Sequence, residues 1–246
     1  MRSDNYFKQF PKIRPKLSEK IKKIYVAHYR ENRNGESLVS SISSKMESWL
    51  HKKVAEDVAY GDSKKTTLEI GAGTLNQLVY ESIYIYDIVE PFKELYIDSL
   101  EKDKVRRIYS NIREISMQEK YDRITSVATF EHICNLPEVV AFSALLLIKS
   151  GNLRVSIPNE GSWLWKMAWT TTTGVEFFLK YRVSYSILMK HEHVNTASEI
   201  EECLKYFFEK VEGSYFGLSK RLSIYHFYSC SAPRIDRCNE FLLTDQ

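Results

Sequence analysis

The stretch Thr66-Thr67-Leu68-Glu69-Ile70-Gly71-Ala72-Gly73-Thr74-Leu75-Asn76 constrains this chain more than any other. A β-branched run leads into a Gly-x-Gly turn and then into a helix-compatible segment. The pattern predicts a strand, a tight loop and a helix start, the device with which doubly wound α/β folds hold nucleotide-like ligands. Gly71 and Gly73 allow backbone to approach a ligand where a Cβ would collide. Free N–H groups at the helix start can receive an anionic group. The third glycine of a dinucleotide fingerprint is missing, since Asn76 stands in its place.

Three further features sharpen the pattern. Glu69 sits two residues before the first glycine, at the carboxyl end of the expected strand. A second β-rich run, Ile83 to Val89, ends on Glu90, at about the 20-residue separation of a ribose-binding acid. A third, Tyr121 to Ala128, precedes Thr129-Phe130-Glu131-His132. Together these resemble class I S-adenosylmethionine-dependent methyltransferases, in which acidic-x-Gly-x-Gly is followed by an acid closing strand two and an aromatic- or Glu-His-containing turn after strand four. The resemblance covers about Thr66 to Pro158. One departure is Leu75, where many members carry a third glycine. The segment from Asn159-Glu160-Gly161 through Asn195-Thr196 also looks like methyltransferases associated with bacterial surface-polysaccharide synthesis.

A chain of 246 residues can bury one substantial core, and one domain with an accessory cap suits it better than two independent domains. Four cysteines (Cys134, Cys203, Cys230, Cys238) show neither Cys-x-x-Cys nor metal-ligand spacing, so free thiols in a reducing cytoplasm are expected. The longest apolar run, Val139 to Ile148, is too short to span a bilayer, and the basic, polar N-terminus predicts no secretory signal. Basic residues crowd the first segment (Arg2, Lys8, Lys12, Arg14, Lys16, Lys20, Lys22, Lys23). They suit either an anionic partner or a solvated helix face with a loose tail.

In chain order, residues 1–15 are expected to lie extended over the surface. Leu17 to Arg30 and Ser37 to Tyr60 carry apolar residues at helical spacing, with a break near Gly35 and a stop at Gly61-Asp62-Ser63. Residues 1–62 thus form an N-terminal helical cap, and 63–246 the main domain. Pro91 to Leu100 is an expected helix, Val105 to Tyr109 a strand and Leu136 to Ser150 a helix punctuated by Pro137 and Gly151. Asn152 to Ile157 is the fifth strand. Such alternation predicts a parallel sheet with helices on both faces, and a ligand beyond the carboxyl ends of the strands. Glu69, Glu90, Asn111, Thr129 and Asn159 would then share one rim. Residues 159–195 form an aromatic-rich insertion, either a substrate lid or a hydrophobic pack on the domain. Thr196-Ala197-Ser198-Glu199 is a capping box opening an amphipathic helix, and two strand-like runs, Val211 to Phe216 and Arg221 to Ser229, follow. The resemblance implies a Rossmann-like, mostly parallel seven-stranded sheet with an antiparallel final strand.

The resemblance also implies S-adenosyl-L-methionine as cofactor. The Gly71-Ala72-Gly73 turn would receive its carboxylate end, and Glu69 would orient the amino-acid portion. Glu90 would accept both ribose hydroxyls. Asn111 stands where the family often has an acid reading the adenine amino group, with Ile112 packing on the ring and Thr129 completing the rim. The protein then aligns an acceptor for in-line displacement and removes its proton where needed. Candidate bases are His132, His191, Glu192 and His193, the first choice being the His191–His193 pair, which shares one side if the segment is extended. That His-x-His with Glu192 lacks a recognisable third or fourth metal ligand, so no metal is expected. No Pro-Pro-aromatic turn or Pro-Cys nucleophile points to a nucleic-acid substrate, and a small-molecule hydroxyl, as on a sugar or nucleotide-sugar, is the expected acceptor. Two rivals remain: a non-catalytic binding module on the same fold, and an NAD-dependent nucleotide-sugar oxidoreductase using Tyr206-x-x-x-Lys210.

Overall fold

The computed structural model describes residues 6–33, 41–58 and 63–244. The expected break at Gly35, the helix start at Ser37 and the stop at Gly61-Asp62 lie outside the described residues. Two helices, α1 (Glu19–Arg33) and α2 (Ser41–Ala55), precede the first strand. Seven strands follow: β1 (Ser63–Ile70), β2 (Ile83–Val89), β3 (Arg107–Tyr109), β4 (Tyr121–Val127), β5 (Leu147–Pro158), β6 (Phe208–Gly217) and β7 (Ser223–Pro233). They form one sheet in the order β3-β2-β1-β4-β5-β7-β6. The first five strands are parallel, and β7 runs antiparallel between β5 and β6. The strand order reverses between β1 and β4, the switch point beyond which ligands bind in such folds.

The main hydrophobic core lies on one face of the sheet. Leu68, Ile70, Ile124, Leu153, Val155 and Ile157 point into it from the strands. Helices α4 (Leu136–Leu146) and, after the insertion, α8 (Ala197–Phe207) close that face, and α9 (Ile235–Thr244) packs on α4. Ile200, Cys203, Leu204 and Phe207 recur at three- and four-residue spacing on α8 and are fully buried. The capping box fixes where α8 begins: Thr196 Oγ1 accepts from Glu199 N while the Glu199 carboxylate accepts from Thr196 N at 2.7 Å. Cys203, Cys230 and Cys238 are buried as free thiols.

The opposite face combines a small apolar cluster around Leu75, Tyr86 and Ile88 with buried charges. Arg123 of β4 is fully buried and donates to Glu81 at 2.8 and 3.1 Å, to Thr67 Oγ1 and to the Val54 carbonyl. Arg154 of β5 donates to the Val54 and Lys53 carbonyls, and both guanidinium groups approach Asp57 at 3.1–3.2 Å. Two arginines therefore satisfy the last carbonyls of α2 and fasten it to the sheet.

Several elements differ from the sequence expectation. The segment after the glycine turn forms only a 3₁₀ helix, Asn76–Tyr80, and the helix expected over Pro91 to Leu100 is the four-residue α3 (Lys93–Tyr96). The helix expected to run to Ser150 ends at Leu146, because Leu147 already pairs with Tyr121 of β4. Arg123 pairs with Asn152, so residues 148–151 bulge between the two pairings, and a Cβ on Gly151 would lie 3.0 Å from the Asp122 carbonyl. From Tyr6 onward the N-terminal segment is packed against the domain. Tyr6 sits in the core beside Phe7 and Phe10, and Lys12 bonds the Val194 carbonyl and Glu199.

The insertion is helical: α5 (Trp163–Trp169), a π-helical turn Thr170–Gly174, α6 (Val175–Tyr181) and α7 (Ser186–Glu192). Its core is separate from that of the sheet. Phe177 and Leu188 pack with Leu17, and Ile21, Ile24 and Tyr25 of α1 close around them. Helix α1 thus joins the insertion, whereas α2 joins the sheet.

Candidate functional site

The glycine turn opens on a cleft of about 660 Å³ beyond the carboxyl ends of β1, β2 and β4, a volume usual for small-molecule sites. Gly71, Gly73 and Leu75 all have positive φ, at 71°, 51° and 67°. A Cβ on Gly71 would collide with the Thr129 side chain, whereas one on Gly73 would meet nothing within 4 Å. Gly71 is thus required by packing, and Gly73 leaves its backbone bare to the cleft. Leu75 stands where the resembled family often carries a third glycine, and the position is left-handed. That conformation costs roughly 1–2 kcal/mol in a non-glycine residue. Full burial of the Leu75 side chain against Leu78, Tyr86, Ile88 and Tyr96 returns about 1.5–3 kcal/mol. Leucine therefore holds the turn as glycine would.

Glu90 closes β2 and clamps this turn. Its Oε2 accepts the Gly73 N–H at 2.8 Å and its Oε1 the Phe92 N–H at 2.9 Å. A carboxylate has about four acceptor positions, so two remain for a ligand. Asn111 Oδ1 accepts from Arg113 N at 2.9 Å, which leaves one lone pair on that oxygen. Ile112 is buried at the cleft wall beside it. Thr129 Oγ1 donates towards the Gly71 and Val127 carbonyls. Asn159 does not reach this rim, because its amide donates to the Ser223 and Lys220 carbonyls on the far side of β5. The cleft also takes residues that no motif marks: Arg14, Tyr25, Glu47 and His51 from the N-terminal helices and strap, and Phe92 after β2.

Glu69 lies at the cleft floor, 2 % exposed, accepting from the Tyr86 hydroxyl at 2.9 Å. Burial pushes its carboxyl up to about 8, helped by like-charged Glu81 and opposed by Tyr86 and Arg123. A carboxyl raised in the fold favours folding below its ordinary value of 4.5 and loses that contribution as pH rises to about 8. Between those values the folded chain holds a proton that the unfolded chain releases. Melting temperature is therefore expected to fall from pH 5 to pH 8, and Glu69→Gln to flatten that fall. Identical slopes in the two proteins would show that Glu69 is ionised in the fold.

The histidines sort differently from the sequence expectation. His191 and Glu192 belong to α7 and His193 is its C-cap, so His191 and His193 do not share one side of an extended segment. His191 Nδ1 faces the Pro15 carbonyl at 2.7 Å. His193 instead meets His132 from the turn after β4, edge to face, ring centroids 4.8 Å apart. His193 Nδ1 bonds Glu160 Oε2 at 2.7 Å and His132 Nδ1 the Glu192 carbonyl at 3.0 Å. Burial would raise Glu160, but His193 and the Trp165 indole N–H outweigh it and hold the carboxyl below its usual range. Beside them Glu131 is 1 % exposed, and burial pushes its carboxyl up to about 7 against the opposing charge of His132. Arg14 secures the group by donating to the His132, His191 and Glu192 carbonyls.

The histidine pair stands between two cavities. His132 lines the cleft at the glycine turn, and His193 lines a second cavity of about 500 Å³ inside the insertion. That second cavity is walled by Ser162, Thr170, Ser184 and Ser186, by Lys166 and Lys190, and by Trp169. The buried Trp169 indole N–H has no hydrogen-bond partner among the described residues. Tyr206 and Lys210 line neither cavity and lie on different elements, α8 and β6, which removes the geometry an oxidoreductase pair would need.

No family model matches the chain, and no curated protein matches its sequence. Solved structures do share its fold. A methyltransferase of Thermotoga maritima, described as S-adenosylmethionine-dependent and a possible histamine N-methyltransferase, is 15 % identical over 76 % of this chain and 95 % of its own, with a TM-score of 0.51. The plantazolicin methyltransferase BpumL, in complex with a triazolic desmethylPZN analog and SAH, is 16 % identical over 86 % of this chain and 91 % of its own, with a TM-score of 0.58. Phosphoethanolamine N-methyltransferase 2 of Haemonchus contortus, in complex with S-adenosyl-L-methionine, is 11 % identical over 79 % of this chain and 58 % of its own, with a TM-score of 0.52. The chain has the Rossmann-like fold of S-adenosylmethionine-dependent methyltransferases. Among the described residues no helix is long and apolar enough to cross a membrane.

Proposed function

We propose that the protein is a methyltransferase that binds S-adenosylmethionine in the cleft at the glycine turn and methylates a hydroxyl of a small, polar acceptor such as a sugar or nucleotide-sugar. The observation that carries this is the Glu90 clamp on Gly73: a carboxylate with unused lone pairs beside bare backbone, where the resemblance implies a ribose. The residues fit the cofactor. Glu90 would accept the ribose hydroxyls, Ile112 would face the adenine, and the Gly71–Gly73 backbone would take the amino-acid end over Glu69. Bound there, S-adenosylmethionine would supply an electrophilic methyl group, leaving the protein to orient and activate the acceptor.

The second cavity suits that acceptor. Four hydroxyl side chains and the free indole N–H of Trp169 match a polyol, and Lys166 and Lys190 match an anionic substituent such as a diphosphate. The insertion would cover the acceptor, and the His132–His193 pair would activate its hydroxyl where the two cavities meet.

The test is calorimetric titration of the purified chain with S-adenosylmethionine, S-adenosylhomocysteine and NAD. Binding of the first two and not the third is expected. Glu90→Ala should weaken S-adenosylmethionine by about 1.5–3 kcal/mol, roughly 10- to 150-fold, the worth of hydrogen bonds to a charged group. Unchanged affinity in a folded Glu90→Ala protein would sink the ribose assignment. Binding of NAD alone would sink methyl transfer.

A further inference from the structure

The histidine pair has a third member. Glu131, His132 and His193 each offer one ligand atom, and those atoms all lie within 4.8 Å of one another. Two come from the turn after β4 and one from the end of the insertion, so the fold, not a local motif, assembles them. Both rings already have their Nδ1 engaged, His132 on the Glu192 carbonyl and His193 on Glu160. A backbone carbonyl can only accept, so His132 Nδ1 carries the proton and its Nε2 lone pair is free. The carboxylate partner of His193 orients that ring in the same way. A carboxylate or carbonyl behind each ring is the arrangement that orients metal-ligating imidazoles.

Glu131 supplies the independent observation. Its side chain is 2 % exposed, yet Oε2 has no hydrogen-bond partner among the described residues, and Oε1 comes only within 3.8 Å of His132 Nε2. A buried carboxylate oxygen without a partner is costly unless a cation meets it.

We propose that Glu131, His132 and His193 bind a divalent first-row transition cation of the zinc or manganese class. Two imidazoles select against magnesium and calcium, which take oxygen ligands, and two histidines with one glutamate form a set that keeps coordination positions open. His132 borders the cofactor cleft and His193 the second cavity, so those open positions would face an acceptor oxygen. The cation would then be the means by which the pair activates a hydroxyl, a role that rests on the proposed methyl transfer. Metal binding itself does not rest on it.

The experiment uses the untagged full chain stripped with a chelator, then titrated calorimetrically with Zn²⁺ and separately with Mn²⁺, with visible absorption of the Co²⁺ form as a geometric readout. One equivalent per chain should bind, Co²⁺ should show ligand-field bands, and Zn²⁺ should raise the melting temperature. His132→Ala and His193→Ala should each abolish the stoichiometric binding and the bands. Glu160→Ala, which removes only the group behind His193, should weaken binding roughly 10- to 100-fold. His191→Ala should change nothing. Absence of a stoichiometric site for either metal, or one that survives either His132→Ala or His193→Ala, overturns the proposal. The two histidines are partly exposed, so these variants decide the question even if a Glu131→Gln protein does not fold. Titrating the same samples with S-adenosylmethionine separates the two inferences. A chain that binds S-adenosylmethionine but no metal overturns the metal alone, and one that binds metal but no S-adenosylmethionine overturns methyl transfer alone.

Discussion

His193→Asn should lower methyl-transfer turnover by roughly 10²–10⁴-fold, the usual worth of a group that handles an acceptor's proton. His191→Asn, two residues away, should leave turnover unchanged. The contrast follows from where α7 ends. His191 is still helical and its ring is held against the Pro15 carbonyl, whereas His193 leaves the helix at φ −93° and turns towards His132. S-adenosylmethionine affinity should survive in both variants, because neither histidine lines the cleft at the glycine turn. The measurement is S-adenosylhomocysteine release with whichever member of a hexose and nucleoside-diphosphate-sugar panel first supports turnover. Near-normal turnover in His193→Asn would place acceptor activation away from this pair. A comparable loss in His191→Asn would mean that the effect comes from disturbing α7 and the Arg14 strap, not from chemistry at the ring.

The strands and the glycine turn were legible in the sequence because their signals are local. Glu69, Gly71, Gly73 and Glu90 sit within one β-turn-β unit, and the pairing of β1 with β2 brings them together without help from elsewhere. Even Leu75, which departs from the glycine pattern, keeps the required left-handed backbone, a fact that only the burial of its side chain explains. The histidine cluster was not legible in the same way. Glu131 and His132 lie far from His193 in sequence, and the distance closes through the Val194 and Asn195 backbone N–H groups, which both donate to the Glu131 carbonyl. An extended Lys190 to His193 would make His191 and His193 partners; the helical hydrogen bond from His193 N to the Met189 carbonyl separates them. A Glu-His pair just past a central strand was the one available signal, and it pointed at His132 without naming its partner. The N-terminal strap was hidden for another reason. Lys12 and Arg14 look like members of a basic run, yet each is committed to backbone carbonyls around the site.

Arg123→Met should cost about 3–5 kcal/mol of stability at neutral pH, the usual penalty for removing one partner of a buried ion pair, and so lower the melting temperature by roughly 6–20 °C in a chain of this size. The cost does not come mainly from the lost attraction. Desolvating both charges consumes much of that, and a well-packed apolar replacement of the whole group is often neutral. It comes from what is left behind. The Glu81 side chain is fully buried, and without Arg123 its remaining side-chain partner among the described residues is Gln77 Nε2 at 2.7 Å. Asp57 is better placed, since Arg154 and Lys65 stay at 3.1 Å. Glu69, on the same face, would also lose the positive charge that now opposes its burial. Adding Glu81→Leu to Arg123→Met should therefore restore a large part of the lost stability, a positive coupling that a double-mutant cycle measures directly. The Val54 carbonyl would still be capped by Arg154 at 2.8 Å, so the end of α2 should hold. If the double variant is no more stable than Arg123→Met alone, the loss lies in packing around the guanidinium and not in the stranded carboxylate of Glu81.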